Sequence, residues 1–330
     1  MGKKRNEIVD ILKGIAIVTV ILVHVFRGKG KIDILIGEIS RWAVPCFFMI
    51  QGYYMERTAQ KPWVSNFVNK ITKVYLPFVM FSTMYGLYFL KVREKEFTLT
   101  DVLLGETAVH LYFVIHYMIF ATFIPLLYKL KESLRVNFIW FMMISNFIIC
   151  LAYEIQKSYG IKLVFYSGLN PGKYWGFVAL GMLVNERKSI FNYMRENPTR
   201  SIIVSAVVTL VGLLIPFITD TVGYMYNKSS LFPLAIGITS LIISYFYKNK
   251  VKDKNRLSYI GQRSFGVYLV HLFVIYFLKS IIGTESLGIV FILTLVVSIL
   301  LVNMGRILMS QLNALVNERM RKQSEKELNI

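Results

Sequence analysis

Residues 6–24 read NEIVDILKGIAIVTVILVH, and this stretch decides the fold class. It approaches the roughly 20 residues that an α-helix needs to cross the hydrocarbon core of a bilayer. It is not uniformly apolar, because Asp10 and Lys13 sit near its start and His24 near its end. At roughly 100° per residue, the step from Lys13 to His24 turns the helix by about 1100°, so both lie on one face within about 20°. The helical rise separates them by about 16 Å along the axis. Asp10 falls on the same side as Lys13, one turn earlier. The helix thus carries a charged group at one depth and a titratable imidazole three turns further on. Ionisable groups inside a membrane span are costly and mark a function by default. The plainer alternative is a Lys that snorkels from the helix end and a His held by a neighbouring helix.

The rest of the chain repeats this apolar character. Apolar residues make up 55% and charged residues only 17%, and mean hydropathy is +0.53. The charges fall in short clusters between apolar runs, which is the pattern of a multi-pass membrane protein embedded in a lipid bilayer. A net charge of +19 would suggest nucleic acid in a soluble chain. Here cytoplasmic loops that collect Lys and Arg account for it, and no nucleic-acid partner is expected. The expected fold is an all-α bundle of about ten transmembrane helices. The spans fall near 7–26, 40–56, 72–91, 110–129, 136–155, 172–186, 200–219, 231–247, 264–281 and 288–313. Lys and Arg are more than twice as frequent in segments 1–6, 56–73, 129–135, 185–200, 248–263 and 314–330 as in the alternate segments. That bias puts both termini in the cytoplasm. Residues 1–313 then form the membrane domain and 314–330 a charged cytoplasmic tail. Lys3, Lys4 and Arg5 precede the first run, but no A-x-A-like site follows it, so a retained helix is expected rather than a signal peptide. Cys46 and Cys150 lie inside apolar runs and read as packing residues. No CxxC, HExxH, GxxxxGK[ST] or GxGxxG motif occurs, and no metal is expected.

Four further stretches hold candidate residues. RWAVPCFFMIQGYYMER (41–57) carries Pro45 and a Gln-Gly pair, which suit either a simple kink or a broken helix beside a cavity. FVNKITKVYLPF (67–78) places Lys70 and Lys73 on one helix face at a helix start, where cations oppose the macrodipole. Lipid headgroups or the phosphates of a nucleotide-like cofactor could offset them. HLYFVIHYM (110–118) sets His110 at the outer edge of a span. His116 lies about 600° further round and faces away, so the two are no metal pair. LSYIGQRSFGVYLVH (257–271) holds Arg263 near a span start and His271 two turns inside it. LTDVLLGE (99–106) reads as a short helix along the outer interface.

Together these stretches resemble the acyltransferase-3 family of integral membrane O-acyltransferases, over about residues 6–280. Lys13 and His24 match its basic residue eleven positions before a His, with Asp10 at the acidic position upstream. VPCFFMIQGYYM resembles the Pro-aromatic-aromatic stretch ending in Ser-Gly-aromatic; Gln51 stands for Ser, and Gly52 and Tyr53 carry over. KITKVYLPF resembles the basic-x-x-basic pattern of the third helix, with Lys70 and Lys73 where Arg is common. HLYFV resembles a His-Leu-Trp-Phe-Leu stretch that begins at His110, with Tyr112 for Trp. The late Ser-aromatic-x-Gly to Ile-Tyr-Leu-x-His stretch carries over Tyr268 and His271. The Lys-for-Arg changes keep the charge but give up bidentate phosphate binding.

The resemblance implies a multi-pass protein of the cell membrane that moves an acyl group from acyl-CoA, usually acetyl-CoA, to a hydroxyl of a cell-surface glycan or its lipid-linked precursor. Phosphates of CoA would meet Lys70, Lys73 and Arg263. His24 would be the general base, because imidazole titrates near neutral pH, with Lys13 assisting and Asp10 orienting Lys13. Tyr53, His110, Tyr268 and His271 would contact substrate. A membrane carrier or exporter of an amino acid or acyl-modified glycan would present a similar pattern of spans and buried charges.

Overall fold

The computed structural model describes residues 6–28, 30–159, 170–222, 228–251, 255–282 and 287–328. Every regular element among them is helical. In chain order the helices are α1 (Glu7–Val25), α2 (Lys31–Ser40), α3 (Ala43–Tyr53), α4 (Met55–Ala59), α5 (Trp63–Lys70), α6 (Leu76–Arg93), α7 (Leu99–Leu104) and α8 (Tyr112–Phe123). They continue with α9 (Glu132–Tyr159), α10 (Trp175–Glu186), α11 (Ser189–Glu196), α12 (Pro198–Ile218), α13 (Leu231–Lys248), α14 (Arg256–Gly261), α15 (Ser264–Ile282) and α16 (Leu287–Leu328). A π turn, Ile71–Tyr75, joins α5 to α6. The basic start at Lys3, Lys4 and Arg5 lies outside the described residues, as does part of the basic loop at 252–254. The short helix expected over 99–106 is present as α7, and Thr98 and Asp101 close a reciprocal capping box at its start.

Seven of the described helical segments are long and apolar enough to cross a membrane: Glu7–Val25, Tyr112–Lys129, Glu132–Gln156, Pro198–Ile218, Leu231–Lys248, Ser264–Ile281 and Leu287–Leu312. They coincide with seven of the ten expected spans. The other three differ for identifiable reasons. The 40–56 run breaks after Tyr53, which leaves α3 with 11 residues. The 172–186 run yields α10 with 12 residues. The 72–91 run begins with the π turn, and Lys91 and Arg93 in the last turn of α6 lower its hydropathy.

α1 is the central helix. Of its most apolar window 56% is buried, against 22% for α12 and 17% for α16. Those outer helices present rows of exposed Ile, Leu and Val, such as Ile203, Val207 and Leu210, the expected face toward lipid. Two backbone-to-backbone contacts fix what surrounds α1. A Cβ on Gly14 would collide with the carbonyl of Leu257, and one on Gly261 with the carbonyl of Asp10. The glycines therefore let α1 and α14 touch through main chain. The same arrangement joins the two short helices: a Cβ on Gly52 would collide with the Val178 carbonyl, and one on Gly181 with the Met49 carbonyl. Small residues that bring backbones together are a standard way to pack helices without a hydrophobic drive.

Gly14→Ala is therefore expected to lower the Tm of the purified protein in detergent, since overpacking costs about 1–3 kcal/mol. Gly37 has open space around the position of a Cβ, so Gly37→Ala should leave Tm unchanged or raised. Equal effects of the two substitutions would contradict the backbone-contact account.

Candidate functional site

Two cavities lie along α1. The lower one has a volume of 450 Å³ and takes in Lys13, Gln51, Lys70, Tyr117, Gln262 and Ser264. The upper one has a volume of 310 Å³ and takes in His24, Arg27, Ser40, His110, Tyr112 and Tyr174. Val20, Val44, Phe113 and Tyr268 line both. One layer of side chains thus separates the Lys13 side from the His24 side. No Asp or Glu lines either cavity among the described residues.

The lower cavity holds two ammonium groups. Lys13 Nζ lies 3.1 Å from Asp10 Oδ1, and the Asp10 side chain is buried. Lys70 Nζ donates to the Tyr117 hydroxyl at 2.7 Å and sits over the same ring. Gln51, in the position where Ser is usual, donates from Nε2 to the Tyr117 carbonyl at 2.9 Å. It therefore belongs to the wall of this cavity.

Three imidazoles that are far apart in sequence gather at the upper cavity. The ring of His24 lies 5.3 Å from that of His271 and 6.2 Å from that of His110, and His110 lies 5.1 Å from His271. His110 and His271 are buried, at 3% and 0% exposure, while His24 faces the cavity. The Tyr268 ring lies 5.1 Å from His110, and its hydroxyl donates to the His110 carbonyl. Nδ1 of His271 lies 2.7 Å from the Tyr268 carbonyl oxygen. A carbonyl only accepts, so Nδ1 carries the hydrogen and Nε2 of the neutral ring keeps its lone pair. That Nε2, and both ring nitrogens of His110, are buried without a hydrogen-bond partner among the described residues. Buried polar atoms left unpaired are uncommon and costly, and they concentrate at working sites. The rings are tilted or edge-on to one another. Among the described residues, no group of three or more His, Cys, Asp and Glu could hold a metal ion.

The remaining candidates lie elsewhere. Lys73 falls within the π turn and lines neither cavity. Arg263 is turned toward α16, where its Nε donates to Asn303 Oδ1 and its guanidinium covers the Tyr259 ring at 3.4 Å. Its neighbours Gln262 and Ser264 reach the lower cavity instead. Tyr53 packs on Phe191 at 5.3 Å and lines a small separate cavity of 80 Å³. His116 faces Tyr112 and Tyr174, away from the imidazole cluster. Cys46 and Cys150 are free and buried.

A family model described as an acyltransferase domain, Acyl_transf_3, matches residues 6–304. The chain belongs to the acyltransferase-3 family. No curated protein and no solved structure matches it. Family membership and the apolar helices make it a multi-pass membrane acyltransferase.

One residue that the sequence motifs pass over also meets the cluster. The Tyr85 hydroxyl donates to the Leu269 carbonyl at 2.9 Å and accepts from the Phe273 amide at 3.0 Å. Those two groups are four residues apart, the pair that an α-helix joins directly. Tyr85 is thus inserted at the turn of α15 that carries His271, and its ring stands 5.2 Å from His110. It is 1% exposed. In sequence it is one aromatic in an apolar run, with no spacing to betray it. Tyr85 thus ties the His271 turn of α15 to α6 and packs on His110.

Tyr85→Phe should lower kcat with little change in KM, because it removes two hydrogen bonds at that turn and leaves the cavities their shape. The stability loss should be about 1–3 kcal/mol. A rate per folded molecule equal to that of the parent would reduce Tyr85 to a packing role.

Proposed function

We propose that the protein moves an acyl group, typically acetyl, from acyl-CoA to a hydroxyl of a cell-surface glycan or its lipid-linked precursor. The donor occupies the lower cavity and the acceptor the upper one, with both termini cytoplasmic and the protein in the cell membrane. The observation that carries this reading is the single layer of Val20, Val44, Phe113 and Tyr268 shared by a lysine-lined and an imidazole-lined cavity. A CoA thioester brings phosphates that suit Lys13 and Lys70, since Lys binds phosphate as a point charge. The acceptor hydroxyl brings a proton that suits an imidazole.

In the reaction, His24 takes the proton of the acceptor hydroxyl as its oxygen attacks the thioester carbonyl. The new carbon–oxygen bond forms, the carbon–sulfur bond breaks, and the proton passes on to the leaving thiolate. His271 and His110, packed on His24, hold the ring in place. Asp10 orients Lys13 through their ion pair. Of the residues expected at the CoA phosphates, Lys70 is the one we assign, because it reaches the lower cavity.

A second reading is a carrier for a small molecule, and the opposition of two cavities across one thin layer favours it too. Release of free thiol from acetyl-CoA by the purified protein separates the two. His24→Ala should reduce that turnover by about 10²–10⁴-fold, the usual worth of a general base, while Tm stays near the parent value. Lys70→Gln should raise KM for acetyl-CoA more than it lowers kcat, and Lys73→Gln should change both less. Near-normal turnover per folded molecule in His24→Ala would end the mechanism and favour the carrier.

A further inference from the structure

The upper cavity contains a group that the acyl-transfer reading leaves unused. Arg27 follows the end of α1 and lines the same cavity as His24. It is exposed, and its guanidinium makes no hydrogen bond or ion pair with the described residues. Cations elsewhere are differently placed: Lys13 pairs with Asp10, Arg135 with Glu186, and Lys228 with Glu38. The nearby acid, Asp33 in the first turn of α2, accepts from the Gly30 amide at 3.2 Å and does not line the cavity. The cavity therefore offers a cation and no described carboxylate to answer it.

Beside Arg27, the rings of Tyr112 and Tyr174 stack at 5.7 Å with an interplanar angle of 22°. Both line the cavity and give it aromatic surface with hydroxyl ends, an amphipathic lining that suits a sugar ring. Arg27 comes about one helical turn after His24 in sequence. An anion held by the guanidinium would sit close to the imidazole, so the charge on the bound molecule lies near the hydroxyl that His24 faces.

We propose that the upper cavity selects an anionic glycan, in which a carboxylate or phosphate gripped by Arg27 sits next to the reacting hydroxyl. Both groups match the planar fork of a guanidinium with paired hydrogen bonds. The inference rests on the acyl-transfer reading only for calling this molecule the acceptor. The anion site itself rests on the cavity.

The test uses the full chain in a neutral detergent without phospholipid, so that no lipid headgroup competes for Arg27. Saturation-transfer NMR compares methyl β-glucuronide, glucose 1-phosphate and methyl β-glucoside. At least one anionic probe should bind about tenfold or more tightly than the neutral glucoside, the scale of a charge-assisted paired hydrogen bond. Which of the two binds better tells carboxylate from phosphate. The preference should vanish in Arg27→Gln and survive in weakened form in Arg27→Lys, with Tm as the control for folding. Equal affinities for all three probes in the parent protein would overturn the proposal, as would a preference that survives Arg27→Gln. If the preference depends on Arg27 but no probe stimulates thiol release from acetyl-CoA, the anion site stands and the acyl-transfer reading falls.

Discussion

The main-chain contact between α1 and α14 is the constraint on which the site depends. Gly14 and Gly261 each face a carbonyl of the other helix, so neither helix can shift along the other without losing that fit. α14 leads directly into α15, and this contact therefore sets the register of everything that follows. Gln262 and Ser264 are delivered to the lower cavity, Tyr268 to the layer between the cavities, and His271 to the side of His24. The turn bearing His271 is also held by the Tyr85 hydroxyl. These two anchors leave that segment little freedom, which suits the proton transfer proposed for His24.

Charge follows the same logic of enclosure. Asp10 is 2% exposed and has Lys13 against it. At the far end of the bundle, Glu38 is shared by Arg41 and Lys228, each 3.0 Å away, and Lys228 also donates to the Thr221 carbonyl. Burial pushes the Lys228 ammonium below the usual lysine range, Arg41 adds to this, and the bond to Glu38 opposes it. A buried pair of this kind is weak evidence for stability, since desolvation consumes most of the Coulomb attraction. Its effect here is to tie α2 to the 228–230 segment through one carboxylate.

The sequence made the central helix legible because helical periodicity is local. Lys13 and His24 share a face by arithmetic alone, and α1 is a single helix over that length. It could not show that Val20 of α1 and three side chains from three other helices form a layer that divides that face into two cavities. His110 illustrates the difference. Read along the chain it is an edge residue, yet it is 3% exposed because α15 brings Tyr268 and His271 onto it. Gly52 and Tyr53 have partners that the motif does not reveal: Gly52 is occupied by a backbone contact with α10, and Tyr53 turns to Phe191. A count of ten spans rests on apolar run length. Run length does not reveal that α3 and α10 are short helices that shelter each other through paired glycines. Tyr85 and Arg27 carry no motif, and only their three-dimensional partners, or the lack of them, single them out.

The dividing layer has a consequence for chemistry. Val20, Val44, Phe113 and Tyr268 are apolar or aromatic. A layer of that composition opposes the passage of charge, since moving an ionised group into a low-dielectric region costs several kcal/mol or more. A short acyl chain is apolar and meets no such penalty. Under the acyl-transfer reading, the polyanionic donor and a polar acceptor would each stay in its own cavity, and only the acyl carbon would have to reach the boundary. Tyr268 is the member of the layer with a polar end, and that end is already engaged by the His110 carbonyl. The same hydrogen bond that closes the wall also fixes His110 against the cluster, so wall and imidazoles are set by one contact.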